Sequence, residues 1–197
     1  MTLIGQSDLF GGMQGLPEGL LYGSGLIDEA EESGLIEKLA PLPFRPFEFH
    51  GFVGRRRVVS FGWRYVFDGS GLEQAEPIPD FLHPLRDRAA AFAEVDPAAL
   101  EHVLLNEYEA GAPIGWHRDR SAFGDVVGIS LLSPARLRFR RRIGTRWERA
   151  AIMLEPRSAY LLTGPARTEW EHSIPPAEQL RYSITFRTLH RPMPEHG

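Results

Sequence analysis

Short strand-like segments separated by turn residues fill the second half of this chain. Repeated short strands at this spacing are typical of β-sandwiches and jelly rolls. Residues 143–145, Ile-Gly-Thr, predict a hairpin turn between two arginine-bearing strands. The predicted strands cover residues 102–109, 114–118, 125–132, 136–143, 146–154, 158–163 and 180–188.

Two helices are predicted ahead of these strands. Asp28 and Glu31 form a capping box for a helix that ends near Ala40, where prolines follow. Asp80 is predicted to cap a second helix, which has an apolar stripe at helical spacing: Leu82, Leu85, Ala89 and Phe92. The fold class is therefore mainly β with flanking helices (α+β), a double-stranded β-helix (jelly-roll) core with an N-terminal helical and lid extension.

The length and composition fit one domain covering residues 1–197. We expect residues 1–20 to form a loosely ordered leader and residues 100–190 the β-helix core. The chain has no cysteine, which excludes disulfides and thiolate metal sites. No apolar run is long enough to cross a bilayer and no signal peptide is apparent, so we expect a cytoplasmic protein without a membrane partner.

Arginine clusters stand out in a chain whose net charge is −4. One cluster is Arg55–Arg57, and the other lies between Arg136 and Arg146. The net charge gives no general attraction to nucleic acid. Two interpretations of the clusters stay open, a phosphate-binding role and solvated strand faces.

A His-x-Asp pair, His117 and Asp119, is the clearest chemical motif. On an extended segment, residues two apart share a face, so both side chains would point the same way. His172 is a candidate third ligand further along the chain. Two imidazoles and one carboxylate form the ligand set that leaves open positions on non-haem Fe(II).

The segment from Arg181 to Arg187 alternates strictly between polar and apolar residues. Its polar face has an arginine at each end, about 20 Å apart along a strand. Arginine grips carboxylates with two parallel hydrogen bonds, so the pair could hold a short dicarboxylate. A solvated strand face with two surface arginines is the alternative.

Aromatic residues recur in the segment from Phe44 to Phe67. The last four, Phe61, Trp63, Tyr65 and Phe67, alternate strictly and are predicted to share one strand face. Such a face either packs on the core or forms a stacking platform for an unpaired base.

These motifs together resemble those of the AlkB family of Fe(II)/2-oxoglutarate-dependent dioxygenases. The resemblance covers roughly residues 20–190 and rests on Asn106-x-Tyr108 before His117-x-Asp119, the distal His172 and the stretch from Arg181 to Arg187. It implies that Fe(II) is bound by His117, Asp119 and His172, with 2-oxoglutarate as cosubstrate. It implies that Arg181 and Tyr108 hold the far carboxylate, with Asn106 and Arg187 near the iron-bound end. Ser183, where many relatives carry Asn, is a further candidate contact.

The resemblance also implies a reaction. With O2, such an enzyme would demethylate N-alkylated bases in single-stranded DNA or RNA and release formaldehyde, succinate and CO2. We expect a monomer whose substrate contacts are Trp63 and Tyr65 in a lid over residues 44–70, with Trp116 and Arg118 beside the iron ligands.

The substrate class stays open on sequence grounds. Several DNA-repairing relatives have an acidic residue two positions after the triad aspartate, where this chain has Ser121. RNA, a modified tRNA base, a protein side chain or a small metabolite is therefore an alternative substrate. A cupin-like module that holds metal without turnover is another alternative, but the paired arginines argue against it.

Overall fold

The computed structural model describes residues 2–4, 15–49, 52–66, 71–176 and 178–190. The strands are β1 (Thr2–Ile4), β2 (Leu20–Ser24), β3 (Arg45–Phe49), β4 (Phe52–Phe61), β5 (Trp63–Val66), β6 (Gly71–Gln74), β7 (His102–Tyr108), β8 (Ile114–His117), β9 (Phe123–Leu131), β10 (Ala135–Ile143), β11 (Arg146–Leu154), β12 (Ala159–Leu162), β13 (Glu171–Ile174) and β14 (Arg181–Leu189). The α-helices are α1 (Glu29–Leu39), α2 (His83–Ala93) and α3 (Gly164–Thr168).

Two antiparallel sheets form the core of the molecule. The major sheet has the strand order β1-β2-β12-β9-β14-β7-β4-β3, and the minor sheet has the order β11-β10-β13-β8. A separate hairpin consists of β5 and β6. This arrangement confirms the predicted mainly β, jelly-roll architecture. The turn at residues 143–145 is also confirmed, since Ile143 pairs with Arg146 around Gly144, whose φ is 57°.

The major sheet has a buried layer on each side. On one side, Leu39 of α1 and Leu85 of α2 pack against Ile184 and other apolar residues of β7, β9 and β14. On the other side, residues of the minor sheet such as Phe139 pack against β2, β9 and β12. Strand β14 therefore has no solvated face, and the polar row that starts at Arg181 points into the space between the sheets.

Helix α1 begins as predicted. The Asp28 side chain accepts a hydrogen bond from the Glu31 backbone N–H at 2.8 Å, and the Glu31 carboxylate accepts one from the Asp28 backbone N–H at 3.0 Å. The prediction for the second helix is wrong at its start. Asp80 opens a single 3₁₀ turn, Asp80–Leu82, and α2 begins at His83 with a proline in its first turn.

The predicted shared face of the aromatic residues 61–67 is wrong, because the chain bends at Gly62. The φ of Gly62 is 79°, and a Cβ there would lie 2.0 Å from the Glu101 carbonyl oxygen. Phe61 consequently packs against the core beneath the helices, while Tyr65 belongs to the β5–β6 hairpin. Phe67 and residues 50, 51 and 68–70 of the expected lid lie outside the described residues, as do residues 1 and 5–14 of the expected leader. None of the described helices has the length and apolarity needed to span a membrane.

Candidate active site

Three metal-binding side chains meet between the two sheets. Atoms of His117, Asp119 and His172 that could ligate a metal lie within 4.8 Å of one another. The two histidines face each other directly across the β8–β13 pair, with ring centroids 4.3 Å apart. Asp119 lies two residues beyond the end of β8, in the loop that follows. The sequence-predicted triad is therefore brought together in space.

The protonation states of the triad suit metal binding. Burial, reinforced by the neighbouring His117, lowers the pKa of His172 to about 3, so its imidazole is neutral at pH 7. Burial alone would raise the pKa of Asp119, but the positive charge of Arg187, together with the histidines and Arg167, holds it well below its usual value. Neutral imidazoles and an ionised carboxylate are the forms in which these groups bind metal.

Asp119 is held in place by two buried arginines. Arg187 Nη2 donates to Asp119 Oδ1 at 3.1 Å. Arg167 of α3 donates to the backbone carbonyl oxygens of Asp119 at 3.1 Å, Phe123 at 2.7 Å and Gly124 at 2.9 Å, and also to that of Arg120. Arg167 thus fixes the loop that carries the carboxylate ligand. Sequence reasoning missed Arg167, because no local pattern marks an arginine that contacts a loop more than forty residues away.

A narrow cavity extends from the triad into the jelly roll and contains the expected cosubstrate residues. Strands β14 and β7 pair Arg181 with Tyr108 and Ser183 with Asn106, so the four side chains lie side by side. Asn106 Nδ2 donates to Ser183 Oγ at 3.3 Å, and the Tyr108 hydroxyl lies 3.5 Å from the same oxygen. All of these residues, with Arg187, line this cavity together with the triad.

Unsatisfied polar atoms show what the narrow cavity can accept. Arg181 is only 1% exposed, and its guanidinium lies over the Tyr108 ring at 4.9 Å. Its Nε donates to Ser130 Oγ at 3.1 Å, whereas its buried Nη1 has no partner among the described residues. Buried charges are normally paired. A carboxylate placed beside Arg181 would supply the missing acceptor, so the chemistry of these residues fits a dicarboxylate cosubstrate.

Three further residues, Ser130, Gly128 and Tyr160, shape this cavity and were not identified from the sequence. Ser130 accepts the hydrogen bond from Arg181 described above. Tyr160 lies across Gly128, where a Cβ would come within 2.3 Å of the tyrosine ring, so only glycine allows this packing. The alternation of side chains within β9 could have placed Ser130 and Gly128 on the cavity side of the sheet. It does not indicate that Tyr160 of the neighbouring strand β12 would pack over Gly128.

A wider cavity of about 660 Å³ opens from the triad to the surface. Its volume lies in the range of small-molecule sites. Tyr65, Trp116 and Arg118 line it, as do Arg64 and Arg120. Arg120 stacks on the Tyr65 ring at 5.1 Å, and Arg118 donates to the Thr168 carbonyl oxygen at 3.3 Å. Of the expected substrate residues, Trp63 alone is absent from the described lining of this cavity.

Two further residues of the wider cavity were not among the expected site residues. Arg56 lines both cavities and stacks on the Phe47 ring at 4.1 Å. His102 is buried, and its Nδ1 lies 3.5 Å from Arg187 Nη1. The cluster Arg55–Arg57 therefore does not act as a unit. Its middle residue faces the site, while Arg57 forms a salt bridge with Glu107 on the other face of the sheet.

Sequence comparison identifies the family. The 2OG-Fe(II) oxygenase superfamily matches residues 53–187, which include the triad and both arginines of β14. The chain belongs to this superfamily. Similarity to proteins with AlkB-type names confirms the resemblance seen in the motifs, and the matching superfamily is one of 2OG-Fe(II) oxygenases.

Several curated relatives of the oxygenase carry AlkB-type names. The "Alkylated DNA repair protein ALKBH8 homolog" of Arabidopsis thaliana is 29% identical over 147 residues, 62% of this chain and 42% of that protein. The "tRNA (carboxymethyluridine(34)-5-O)-methyltransferase ALKBH8" of Mus musculus is 29% identical over 181 residues, 84% of this chain and 25% of that protein. The oxygenase thus spans less than half the length of either relative.

Solved structures share the fold of the oxygenase. OsALKBH1 superposes with a TM-score of 0.69 at 17% identity, covering 89% of this chain and 99% of that one. A prolyl-4-hydroxylase from Pseudomonas putida superposes with a TM-score of 0.58 at 15% identity, covering 88% and 94%. At these identities, the likeness shows the jelly-roll oxygenase fold and carries no information on the substrate.

The pKa shifts in the triad predict that the metal-free oxygenase loses stability as the pH falls. His172 has a pKa of about 3 in the folded protein and ~6.5 when unfolded. Below pH ~6.5 the unfolded chain therefore binds more protons, which lowers the free energy of unfolding by up to ~1.4 kcal/mol per pH unit. Asp119, whose pKa is also lowered, acts in the same direction below ~4.

Denaturant titrations of the metal-free protein between pH 4 and 8 would measure this effect. In His172→Gln, the loss of stability between pH 6.5 and 4 should be smaller than in the wild type. Parallel curves for the two proteins would contradict a buried, neutral His172.

Proposed function

We propose that His117, Asp119 and His172 bind the Fe(II) of this oxygenase and that Arg181 binds the far carboxylate of 2-oxoglutarate. When bound, Fe(II) and 2-oxoglutarate supply, with O2, the oxidising chemistry, and the diacid leaves as succinate and CO2. The proposal is supported by the converging ligand atoms and by the unpartnered Arg181 Nη1 in the adjoining cavity.

The remaining residues of the narrow cavity orient the cosubstrate. Tyr108 covers one face of the Arg181 guanidinium and limits the directions in which it can donate. Ser183 takes a hydrogen bond from Asn106, which leaves Asn106 Oδ1 buried without a partner among the described residues. Arg187 sits at the iron-bound end and neutralises Asp119, so a second carboxylate can approach the site without strong repulsion.

Arg167 should be a positioning residue for the metal. In Arg167→Lys, the charge remains but the fork of hydrogen bonds to the carbonyls of the Asp119 loop is removed. Partners that orient metal ligands typically contribute ten- to a hundredfold to metal affinity. We therefore expect Fe(II) affinity to fall by about that factor, as measured by anaerobic titration. A replacement that only loosened the fold would lower the melting temperature and leave the Fe(II) affinity of the folded fraction unchanged.

We propose that the substrate of the oxygenase is an N-alkylated base in single-stranded DNA or RNA. The observation that carries this proposal is the wide cavity at the triad, which has room for one extruded base and is lined by Tyr65, Trp116 and several guanidinium groups. Aromatic rings stack on bases, and arginines pair with phosphates and base carbonyls. Hydroxylation of an N-methyl group gives a hemiaminal that breaks down to formaldehyde and the unmodified base.

Release of formaldehyde from methylated oligonucleotides tests this proposal. Single-stranded DNA and RNA carrying N-methylated adenine or cytosine are incubated with Fe(II), 2-oxoglutarate and O2. Formaldehyde and succinate should appear in equal amounts, and His172→Gln should produce neither. Succinate formation with no formaldehyde from any methylated strand would overturn the proposal and favour a protein side chain or small metabolite.

A second candidate substrate is a base whose side group carries a carboxylate. Arg56 favours it, because this guanidinium lines both cavities and no carboxylate among the described residues pairs with it. Asp119 is the one acidic residue in the described lining of the wide cavity, and its charge is directed at the metal. The tRNA-directed name of the mouse relative, which refers to carboxymethyluridine, is consistent with this candidate.

The Arg56→Gln variant separates the two candidates. For a carboxylate-bearing uridine in RNA, Arg56→Gln should raise KM at least tenfold, because it removes a charged hydrogen bond. For an N-methylated base, the same variant should change KM little. Mass spectrometry of the digested RNA would report a gain of one oxygen on the modified uridine.

A further inference from the structure

The outward face of the minor sheet forms a cationic face. On β10, alternate side chains point away from the core, while Leu137 and Phe139 point into it. Strand β11 adds two residues to this outward side. In the β10–β11 pair, Arg149 lies opposite Arg140, and Trp147 lies opposite Arg142. The cationic face consists of Trp116, Arg136, Arg138, Arg140, Arg142, Trp147 and Arg149.

A stack of rings and guanidinium groups organises this face. The Arg140 guanidinium lies 4.5 Å from the Trp116 ring and 4.6 Å from the Trp147 ring, so it is held between two indoles. Arg138 lies 5.1 Å from the Trp116 ring and donates to Ser173 Oγ at 3.1 Å. The stack crosses the minor sheet from β8 to β11. Trp147 is nevertheless 40% exposed, which leaves part of its ring open to stacking on another molecule.

The charge of this face is opposite to that of the whole protein. The net charge of the chain is −4, yet arginines dominate here. On this side of the four strands, Glu171 is the one carboxylate among the described residues, and it is paired with Arg140 at 2.5 Å. Such a local excess of positive charge attracts polyanions. Arg136, Arg142 and Arg149 are exposed, and no salt bridge joins them to another described residue.

The cationic face is continuous with the active site. Trp116 lines the wide cavity and immediately precedes His117. Three strand spacings separate β8 from β11, a distance of ~14 Å. At ~3.4 Å per stacked nucleotide, this distance accommodates about four nucleotides. A strand whose target base entered the cavity could therefore lie along the stack.

We propose that the cationic face binds the single-stranded nucleic acid that flanks the target base. Phosphates contact Arg136, Arg142 and Arg149, and a base stacks on Trp147. This inference rests on the proposed function and names the surface that holds the rest of the substrate. The exposed ring of Trp147 next to exposed guanidinium groups favours a nucleic acid over an acidic protein, because an acidic protein would use the charges alone.

Binding of an unmodified, fluorescently labelled single-stranded oligonucleotide tests the inference without any turnover. Arg149→Glu should weaken binding at least tenfold at low salt and make log Kd less dependent on log salt, by ~0.7 for each phosphate that the variant no longer neutralises. Trp147→Ala should weaken binding at least about fivefold and leave the salt dependence unchanged. The matched control is Lys38→Glu, which makes the same change of charge at an exposed position on α1 and should bind like the wild type.

Equal affinities for Arg149→Glu and Lys38→Glu would overturn the inference. Loss of binding to polyglutamate in Arg149→Glu, with oligonucleotide binding intact, would also overturn it, because the face would then serve an acidic protein. The proposed function fails separately. If the oligonucleotide affinities change as expected but no methylated strand yields formaldehyde, the face binds nucleic acid and the proposed reaction is wrong.

Discussion

Replacing Asp119 with alanine is expected to abolish Fe(II)-dependent formation of succinate. The carboxylate is the one anionic member of the triad, and its removal leaves two neutral imidazoles beside the positively charged Arg187. A metal cation would then face a net positive environment. We expect the rate of succinate formation to fall at least a hundredfold. Replacing a residue that only orients a metal ligand typically costs ten- to a hundredfold. Succinate release at saturating Fe(II) measures the fall.

The Asp119→Ala result is interpreted beside a second ligand variant and a control variant. Breaking a buried ion pair costs ~3–5 kcal/mol, so Asp119→Ala will also be less stable. His172→Gln removes a ligand while the Arg187–Asp119 pair stays intact, and it should lose succinate formation equally. Asp87→Ala, at an exposed position on α2, is the matched control and should keep full activity. Turnover that persists in both triad variants would refute the assignment of the triad.

Replacing Arg181 with methionine is expected to raise the KM for 2-oxoglutarate at least thirtyfold. The far carboxylate would lose its charged partner in a site closed to water, and truncating one side of such a pair costs ~2–5 kcal/mol. Methionine fills much of the same space, so the cavity should keep its shape. Initial rates of succinate formation over a range of 2-oxoglutarate concentrations measure the change.

Although Arg181→Met should weaken cosubstrate binding, it should not weaken the fold. Without cosubstrate, Arg181 is a buried cation whose Nη1 lacks a partner among the described residues, so its removal should leave the free energy of unfolding unchanged or higher. 2-Oxoglutarate should raise the melting temperature of the wild type but not of Arg181→Met. Arg146→Met, at the exposed hairpin, should behave like the wild type in both assays. An unchanged dependence on 2-oxoglutarate in Arg181→Met would exclude Arg181 as the anchor.

Strand β14 shows what the sequence could predict. Its alternation correctly separated Arg181, Ser183 and Arg187 from Tyr182, Ile184 and Phe186, because side chains on a strand must alternate between faces. The sequence left open whether the polar face was solvated. That question depends on the minor sheet, which covers this face, and on the helices that cover the other.

Asp119 shows where local reasoning was insufficient. The residue was expected on an extended segment with His117, but β8 ends at His117 and the aspartate lies in the loop. It still faces the metal site because Arg167 and Arg187 hold it there. These contacts join residues 48 and 68 positions apart, a separation at which sequence periodicity carries no information.

Short and bent elements were the other source of error. Strand β13, which carries His172 and joins β8 to β10, was not predicted, because four residues are too few for a period to show. The bend at Gly62 ended the aromatic alternation, since close approach to the Glu101 carbonyl requires a glycine. A glycine inside an apparently regular strand was the one local sign of that bend.

An anaerobic titration with Fe(II) and 2-oxoglutarate is the most direct test of the iron and cosubstrate site. The wild type should bind one Fe(II) per chain and, only when both components are present, develop the visible absorption of a chelated 2-oxo acid. His172→Gln and Asp119→Ala should show neither the tight binding nor the absorption. Full binding and absorption in both variants would contradict an iron site built from His117, Asp119 and His172.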